Sequence, residues 1–269
     1  MPHRIVVQFP SSCMNRPLAI SRQDHIVKAL DASGAVSVSL LAERLGVSRE
    51  TIRRDLKALA DQGRANIVHG GAARGATAEP SLAARQAANA SGKAAIGRKA
   101  ASFVEEGMVI ILDSGSTTLA LAYALLERKD ITVLTNSLPI ALLLCRSPGV
   151  KVTMLGGEID PNDEAAFGLD TLATLEHFRV DLAFIGVGGI SPEGEPTDYS
   201  RLASEQRHIM MKAGQKVFLL VDHSKFERRT PVKMLVVPRI AGLIVDKPPP
   251  KRIARAFMGR RWPVIQARA

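Results

Sequence analysis

Several short polar clusters in this chain have the make-up of binding or reaction chemistry. Asp113-Ser114-Gly115-Ser116-Thr117-Thr118 follows an apolar run and opens a helical one. Gly115 would let the backbone turn tightly there. Ser116, Thr117 and Thr118 would add hydroxyls to the free amides of a helix N-terminus, a favourable seat for a phosphate. Asp113 is placed to accept hydrogen bonds from sugar hydroxyls. Asp222-His223-Ser224-Lys225-Phe226 closes another apolar run and brings an ammonium, Lys225, that would neutralise phosphate. Thr135-Asn136-Ser137 offers short polar side chains, and the glycines of Gly186-Val187-Gly188-Gly189 would allow close ligand approach. The latter run is not a dinucleotide fingerprint, because no Gly-x-x-Gly opening of a helix follows it. Asp113, Asp181, Glu205 and Lys225 also make an acid/base set suited to aldose–ketose isomerisation, so a sugar-phosphate isomerase-like enzyme is the alternative reading.

A second constellation is basic. Residues 37–63 read as two short helices joined at Leu45-Gly46-Val47. On the second, Ile52, Leu56 and Leu59 form an apolar stripe, while Arg49, Arg53 and Lys57 recur at i, i+4, i+8 with Arg54 beside them. Guanidinium groups suit the guanine edge, and the hydroxyls of Ser48 and Thr51 suit phosphate, with Glu50 on the same first turn. The competing reading is an ordinary solvated helix in which Arg53 and Lys57 pair with Glu50 and Asp61.

These clusters need scaffolds. Ser21–Ser33 reads as a helix with Ser21 as cap and Gly34 as stop, Ser37 caps a second helix with Leu40, Leu41 and Leu45 inward, and Ser48 caps the third. Arg64–Ala73 suits a small β-hairpin, the wing of a winged helix. Gly70–Ala78 has the composition of a linker. From Lys93 the pattern alternates. Strands are expected at Met108–Leu112, Ile131–Leu134, Lys151–Leu155, Asp181–Ile185, Lys216–Val221 and Leu243–Val245. Helices are expected near Thr117–Glu127, Leu138–Arg146, Leu169–Phe178 and Arg201–Ala213. Such alternation predicts a mostly parallel sheet with its ligand at the carboxyl ends of the strands.

Charge separates the same regions. Residues 1–75 carry 11 Lys/Arg against 6 Asp/Glu, residues 76–246 carry 18 against 20, and residues 247–269 carry 7 against none. Nucleic-acid affinity therefore belongs to the ends. No apolar run reaches the ~18 residues of a membrane span, and no secretory signal opens the chain, so a cytoplasmic protein is expected. Cys13 and Cys145 stand far apart and the six histidines are scattered, which argues against a disulfide framework, a metal site or a cofactor.

Thr51-Ile52-Arg53-Arg54-Asp55-Leu56, after Leu45-Gly46-Val47-Ser48 and before His69-Gly70-Gly71-Ala72, resembles the DeoR family of bacterial transcription regulators. The likeness extends through Lys93, Asp113–Thr118, Thr135-Asn136-Ser137, Leu155-Gly156-Gly157, Asp181, Glu205 and Ser224-Lys225-Phe226. It implies an N-terminal winged helix-turn-helix that binds operator DNA through Ser48, Arg49, Glu50, Thr51, Arg53, Arg54, Lys57 and His69. It also implies a sensor domain, similar in fold to ribose-5-phosphate isomerase, for a phosphorylated sugar or related metabolite. Gly115, Ser116, Thr117 and Thr118 are carried over as the phosphate loop and Lys225 as its cation, with Asp113, Asn136, Gly188 and Glu205 toward the sugar.

The sequence departs from the family at three places. Ile67 stands where the family has an arginine two residues before the wing histidine, which shifts the expected DNA contact onto the recognition helix. Gly92 replaces an acidic residue before Lys93, and Val245-Asp246 replaces Thr-Asp. The expected organisation is an N-terminal extension over 1–20 with Met14 as a candidate start, a winged helix over 21–74 and a linker over 75–92. A sensor over 93–246 and a basic tail over 247–269 complete it. The expected function is a repressor of carbohydrate metabolism genes acting as a homo-oligomer.

Overall fold

The computed structural model describes residues 19–33, 35–61, 64–68, 70–74, 79–168, 170–175, 177–238 and 240–268. Residues 1–18 of the expected extension with the candidate start at Met14, Gly34, His69 and residues 75–78 lie outside them, whereas residues 19–20, the end of that extension, already belong to the first helix. The chain forms two compact units, residues 1–78 and 79–269.

The first unit runs α1 (Ala19–Ser33), β1 (Ala35–Ser37), α2 (Val38–Leu45), α3 (Arg49–Asp61), β2 (Ala65–Val68) and β3 (Gly71–Arg74). Ile26 and Leu30 of α1, Leu41 of α2 and Ile52, Leu56 and Leu59 of α3 meet in one core, as the apolar stripe requires. Leu40 is 60% exposed and is not part of it. Gly46 takes the left-handed conformation that ends α2, at φ 63°. Ser48 Oγ accepts the Thr51 amide at 3.1 Å and so caps α3. Ser37 occupies the cap position of α2 without a side-chain bond, and Ser21 lies inside α1 rather than capping it. The expected hairpin is present, with Val68 opposite Gly71, and β1 joins it as a third antiparallel strand in the order β1-β3-β2.

The second unit begins with α4 (Leu82–Ala87) and α5 (Ala90–Ala101). β4 (Val109–Leu112), α6 (Ser116–Ala124), β5 (Ile131–Thr135), α7 (Leu138–Leu144) and β6 (Val150–Met154) follow. Next come the hairpin β7 (Glu158–Asp160) and β8 (Ala165–Phe167), then α8 (Asp170–Leu175), β9 (Val180–Ile185), β10 (Gly189–Ile190) and β11 (Pro196–Asp198). α9 (Arg201–Ala213), β12 (Gly214–Val221), β13 (Val232–Lys233), β14 (Gly242–Val245), α10 (Lys251–Gly259) and β15 (Val264–Gln266) complete it. Seven strands form one sheet in the order β15-β14-β12-β9-β4-β5-β6, and every pairing in it is parallel.

Alternate residues of each strand face opposite sides of this sheet. Ile110, Leu112, Phe218 and Leu220 pack with α5 and α6, while Ile111, Val217, Leu219 and Val221 pack with α9 and α10. α5 crosses α6 so closely that a Cβ at Gly97 would lie 2.5 Å from the Ala120 carbonyl oxygen.

Two expected boundaries are corrected. Residues 79–92 belong to the second unit as α4 and the start of α5, so they are not linker. Residues 247–269 are not a tail: Ile253, Phe257 and Trp262 are buried, and β15 pairs with β14 as the edge strand. The cationic residues of this segment are exposed, while Ile253, Phe257 and Trp262 complete the core.

Candidate functional site

In the first unit, α3 turns Ile52, Leu56 and Leu59 inward and leaves Arg49, Arg53, Arg54 and Lys57 exposed. Asp55, between them, is buried and binds Arg22 of α1 at 2.8 Å, which fixes α3 against α1. Glu50 stands 3.5 Å from Arg53 and 4.0 Å from Arg54, but all three side chains are more than half exposed. Such pairs contribute little and exchange readily for phosphate. A groove of about 370 Å³ lies between Arg49, Arg53 and Lys57 on one side and Ile67, Gly70 and Gly71 on the other. A rigid helix with a cationic outer face beside a wing is the geometry that enters a DNA major groove.

In the second unit, successive strands from β4 proceed to β5 and β6 on one side, whereas β9, β12, β14 and β15 proceed on the other. The sheet therefore reverses its order between β4 and β9, where a parallel sheet opens a crevice at its carboxyl end. Asp113 ends β4 there, and its Oδ2 accepts the Gly186 amide at the end of β9 at 2.9 Å. Gly115, at φ 142°, is the residue before α6, a conformation that side chains rarely adopt. Its carbonyl accepts from the Leu119 amide and the Thr118 hydroxyl, each at 2.9 Å. Helix geometry leaves the amides of Ser116, Thr117 and Thr118 without intrahelical acceptors. These residues line a cleft with Ser114, Arg207 and Lys225, and with Glu79 and Arg85 from the start of the unit. The Ser114 hydroxyl of the lining and, behind it, Asp113 Oδ1 are buried with no hydrogen-bond partner among the described residues. The cleft is narrow, about 20 Å³, room for a water-sized group.

Comparison with known proteins resolves both units. The DeoR-like helix-turn-helix domain matches residues 22–77 and the DeoR C terminal sensor domain matches residues 88–247. The chain belongs to the DeoR family. The glycerol-3-phosphate regulon repressor of Escherichia coli (strain K12) is 32% identical over 237 residues, which are 88% of this chain and 94% of that protein. The HTH-type transcriptional regulator GolR of Listeria innocua is 32% identical over 245 residues, 90% of this chain and 96% of its own. Ribose 5-phosphate isomerase A of Methanocaldococcus jannaschii overlays 52% of this chain and 55% of its own at 20% identity, with a TM-score of 0.39.

Electrostatics in the sensor domain of this DeoR-family regulator centre on two arginines that the sequence pattern did not single out. Arg207 of α9 is buried, binds Asp113 Oδ2 at 2.7 Å and pairs through its other arm with Asp198. Burial works against its charge, but the two carboxylates outweigh burial and hold the guanidinium firmly ionised. Burial pushes Asp113 up, and Arg207 pulls against it. Arg85 of α4 binds Glu79 at 2.6 Å and Asp163 at 2.5 Å. Lys225 sits on a single 3₁₀ turn, His223–Lys225, and donates to the Gly188 carbonyl at 3.4 Å. Burial lowers its pKa to about 8, while Glu79 and Asp222 favour its charge and Arg228 and Arg85 oppose it.

Gly115, Ser116, Thr117, Thr118 and Lys225 are thus brought together, with Asp113 behind them. The other three sugar-end candidates are not in the cleft. Gly188 contributes only its carbonyl to Lys225. Asn136 is fully buried and donates to the Ala166 carbonyl, tying the end of β5 to β8. Glu205 is exposed and pairs with Arg201 on the outer face of α9. Two residues along a helix are about 200° apart, so the same helix that turns Arg207 inward turns Glu205 out.

The acid/base set of the isomerase reading is not assembled. Asp181 accepts the Val109 amide at 2.8 Å, at the start of β4, whereas Asp113 lies beyond its end. Four strand residues separate those levels, about 13 Å. Among the described residues no group of His, Cys, Asp and Glu could hold a metal ion, and no helix is long and apolar enough to cross a membrane.

Proposed function

We propose that this DeoR-family regulator is a repressor of carbohydrate metabolism genes, released from its operator by a phosphorylated sugar or polyol. The observation that carries the reading is the convergence of three unpaired α6 amides and the Lys225 ammonium on one crevice at the point where the sheet reverses its order. The glycerol-3-phosphate regulon repressors among its relatives support a phosphorylated effector. Arg49, Arg53, Arg54 and Lys57, with Ser48, Glu50 and Thr51 at the helix start, would contact operator DNA, and the family resemblance adds His69. A single short helix reads few base pairs, so a homo-oligomer on paired half-sites is part of the proposal.

The narrow cleft supplies the switch. A phosphosugar is larger than its interior, so binding selects a more open arrangement, and the effector's preference for that state sets how far it shifts the DNA-binding equilibrium. The test is a thermal-shift panel of pentose, hexose and triose phosphates on the full chain, with hits checked for release of DNA from its own upstream region. A binder gains stability by mass action. Indifference to the whole panel would reject a phosphorylated effector.

The pH dependence has a definite sign. The second phosphate ionisation lies at about pH 6, so the dianion dominates above that. Lys225 loses its proton as pH rises through about 8. Affinity should be highest between those values and fall above pH 8 by up to about tenfold per unit, with proton uptake on binding. Calorimetric titrations across pH 6.5–9.5 measure this, and a flat profile would remove Lys225 from the site.

A further inference from the structure

The cleft already contains an anion supplied by the chain itself. Glu79 lines it together with the Gly115–Thr118 loop, its side chain only 12% exposed. We propose that Glu79 is an internal competitor for the phosphate seat, so that an effector binds only by displacing its carboxylate from the Arg85 and Lys225 side of the cleft. The proposal rests on the phosphate-seat reading given above.

Space and charge both point this way. An interior of about 20 Å³ does not admit a phosphate unless a wall side chain leaves. Most of the wall is fixed. Arg207 is clamped by two carboxylates, and Lys93 holds the backbone of α4 by donating to the Arg85 and Ala88 carbonyls. The backbone at Glu79 and Pro80 is held by Asn162, whose amide donates to both carbonyls, and Ser81 caps α4. The Glu79 carboxylate, by contrast, is held among the described residues by one side chain, Arg85, at 2.6 Å.

An incoming dianion and this carboxylate would share one low-dielectric crevice, where like charges repel strongly. Glu79 is also the carboxylate that most favours the Lys225 charge, so it occupies electrostatically the place an effector phosphate would take. Burial raises the Glu79 pKa and Arg85 opposes that rise, as expected of a carboxylate held in place by its cation. Its departure would leave Arg85 with Asp163 only, freeing one arm for the phosphate. Glu79 is the first residue of the sensor unit, so the group that the ligand displaces belongs to the point where the chain leaves the DNA-binding unit.

The test is the rise in Tm of the full chain with inorganic phosphate, for the unaltered protein, Glu79→Gln, Glu79→Ala, Glu79→Asp and Lys225→Met. Removing one like charge at this range should tighten phosphate binding about tenfold in Glu79→Gln and raise it also in Glu79→Ala. Glu79→Asp, which keeps the charge, should stay within about twofold of the unaltered protein, and Lys225→Met should lose the response. Equal affinity in the Gln, Ala and unaltered forms would overturn the competitor role while leaving the seat intact. A gain in Glu79→Asp as large as in Glu79→Gln would overturn it too, as an effect of packing. No response to phosphate in any form would instead reject the seat itself.

Discussion

Replacing Arg207 with alanine is expected to destabilise the sensor unit by about 3–5 kcal/mol, the cost of leaving a buried charge unpaired. The side chain joins Asp113 at the end of β4 to Asp198 at the end of β11 from its place on α9, and all three are buried. Without the guanidinium, two carboxylates face each other out of water, one of them already holding an oxygen with no hydrogen-bond partner. For a unit of this size the loss corresponds to a fall in Tm of roughly 6–20 °C. The unfolding of the DNA-binding unit, whose core is its own, should not move. Because the orphaned carboxylates can take up protons, the deficit should shrink as pH falls. Arg207→Lys should recover only part, since an ammonium cannot span both partners as a planar fork does. Scanning calorimetry of the three proteins checks this, and a shift of under a degree would mean that the triad is solvated rather than buried.

The second large effect is a separation of functions. The Arg53 side chain is 65% exposed and its ion-pair partner among the described residues is the similarly solvated Glu50, so Arg53→Ala should leave the fold intact. If it reads a base edge, its loss costs about 1–3 kcal/mol, or roughly 5–150-fold in operator affinity, with phosphosugar binding unchanged. Lys225→Met keeps the length and packing of the stem and removes only the charge. Loss of a charge-assisted bond to phosphate costs about 1.5–3 kcal/mol, roughly 10–150-fold in effector affinity, with operator binding unchanged in the absence of effector. Anisotropy for DNA and calorimetry for the effector report the two affinities independently. Coupled loss of both activities in either variant would mean that the units do not divide the work.

Much of this arrangement is legible in the chain because it is local. The Ile52, Leu56, Leu59 stripe marks α3, the glycine and hydroxyls of Gly115–Thr118 mark a helix start, and the apolar runs mark six of the seven strands of the large sheet, all but the edge strand β15. What escapes is what depends on distant partners. Arg207 looks like any helical cation until the fold brings Asp113, 94 residues earlier, beside it. Glu79 and Arg85 lie in a stretch whose small residues resemble a connector, and only the folded unit brings them to the wall of the cleft. The cationic end of the chain hides its core residues for a related reason: Ile253 and Phe257 share one face of α10 and Trp262 follows in the turn beyond it, but the run of charges around them dominates the composition. Glu205 fits the family motif, but the helical rotation between it and Arg207 turns it to the outer face of α9, where it pairs with Arg201.

The central claim is that a phosphate bound at Gly115–Thr118 and Lys225 controls what α3 does on DNA. The most direct measurement is anisotropy of labelled upstream DNA bound to the full chain, titrated with the phosphosugar that gives the largest thermal shift, for the unaltered protein and Lys225→Met side by side. The unaltered protein should leave the DNA as the ligand saturates, and Lys225→Met should stay bound at the same concentrations. Equal release of both proteins, or none from the unaltered protein at saturating ligand, would contradict it.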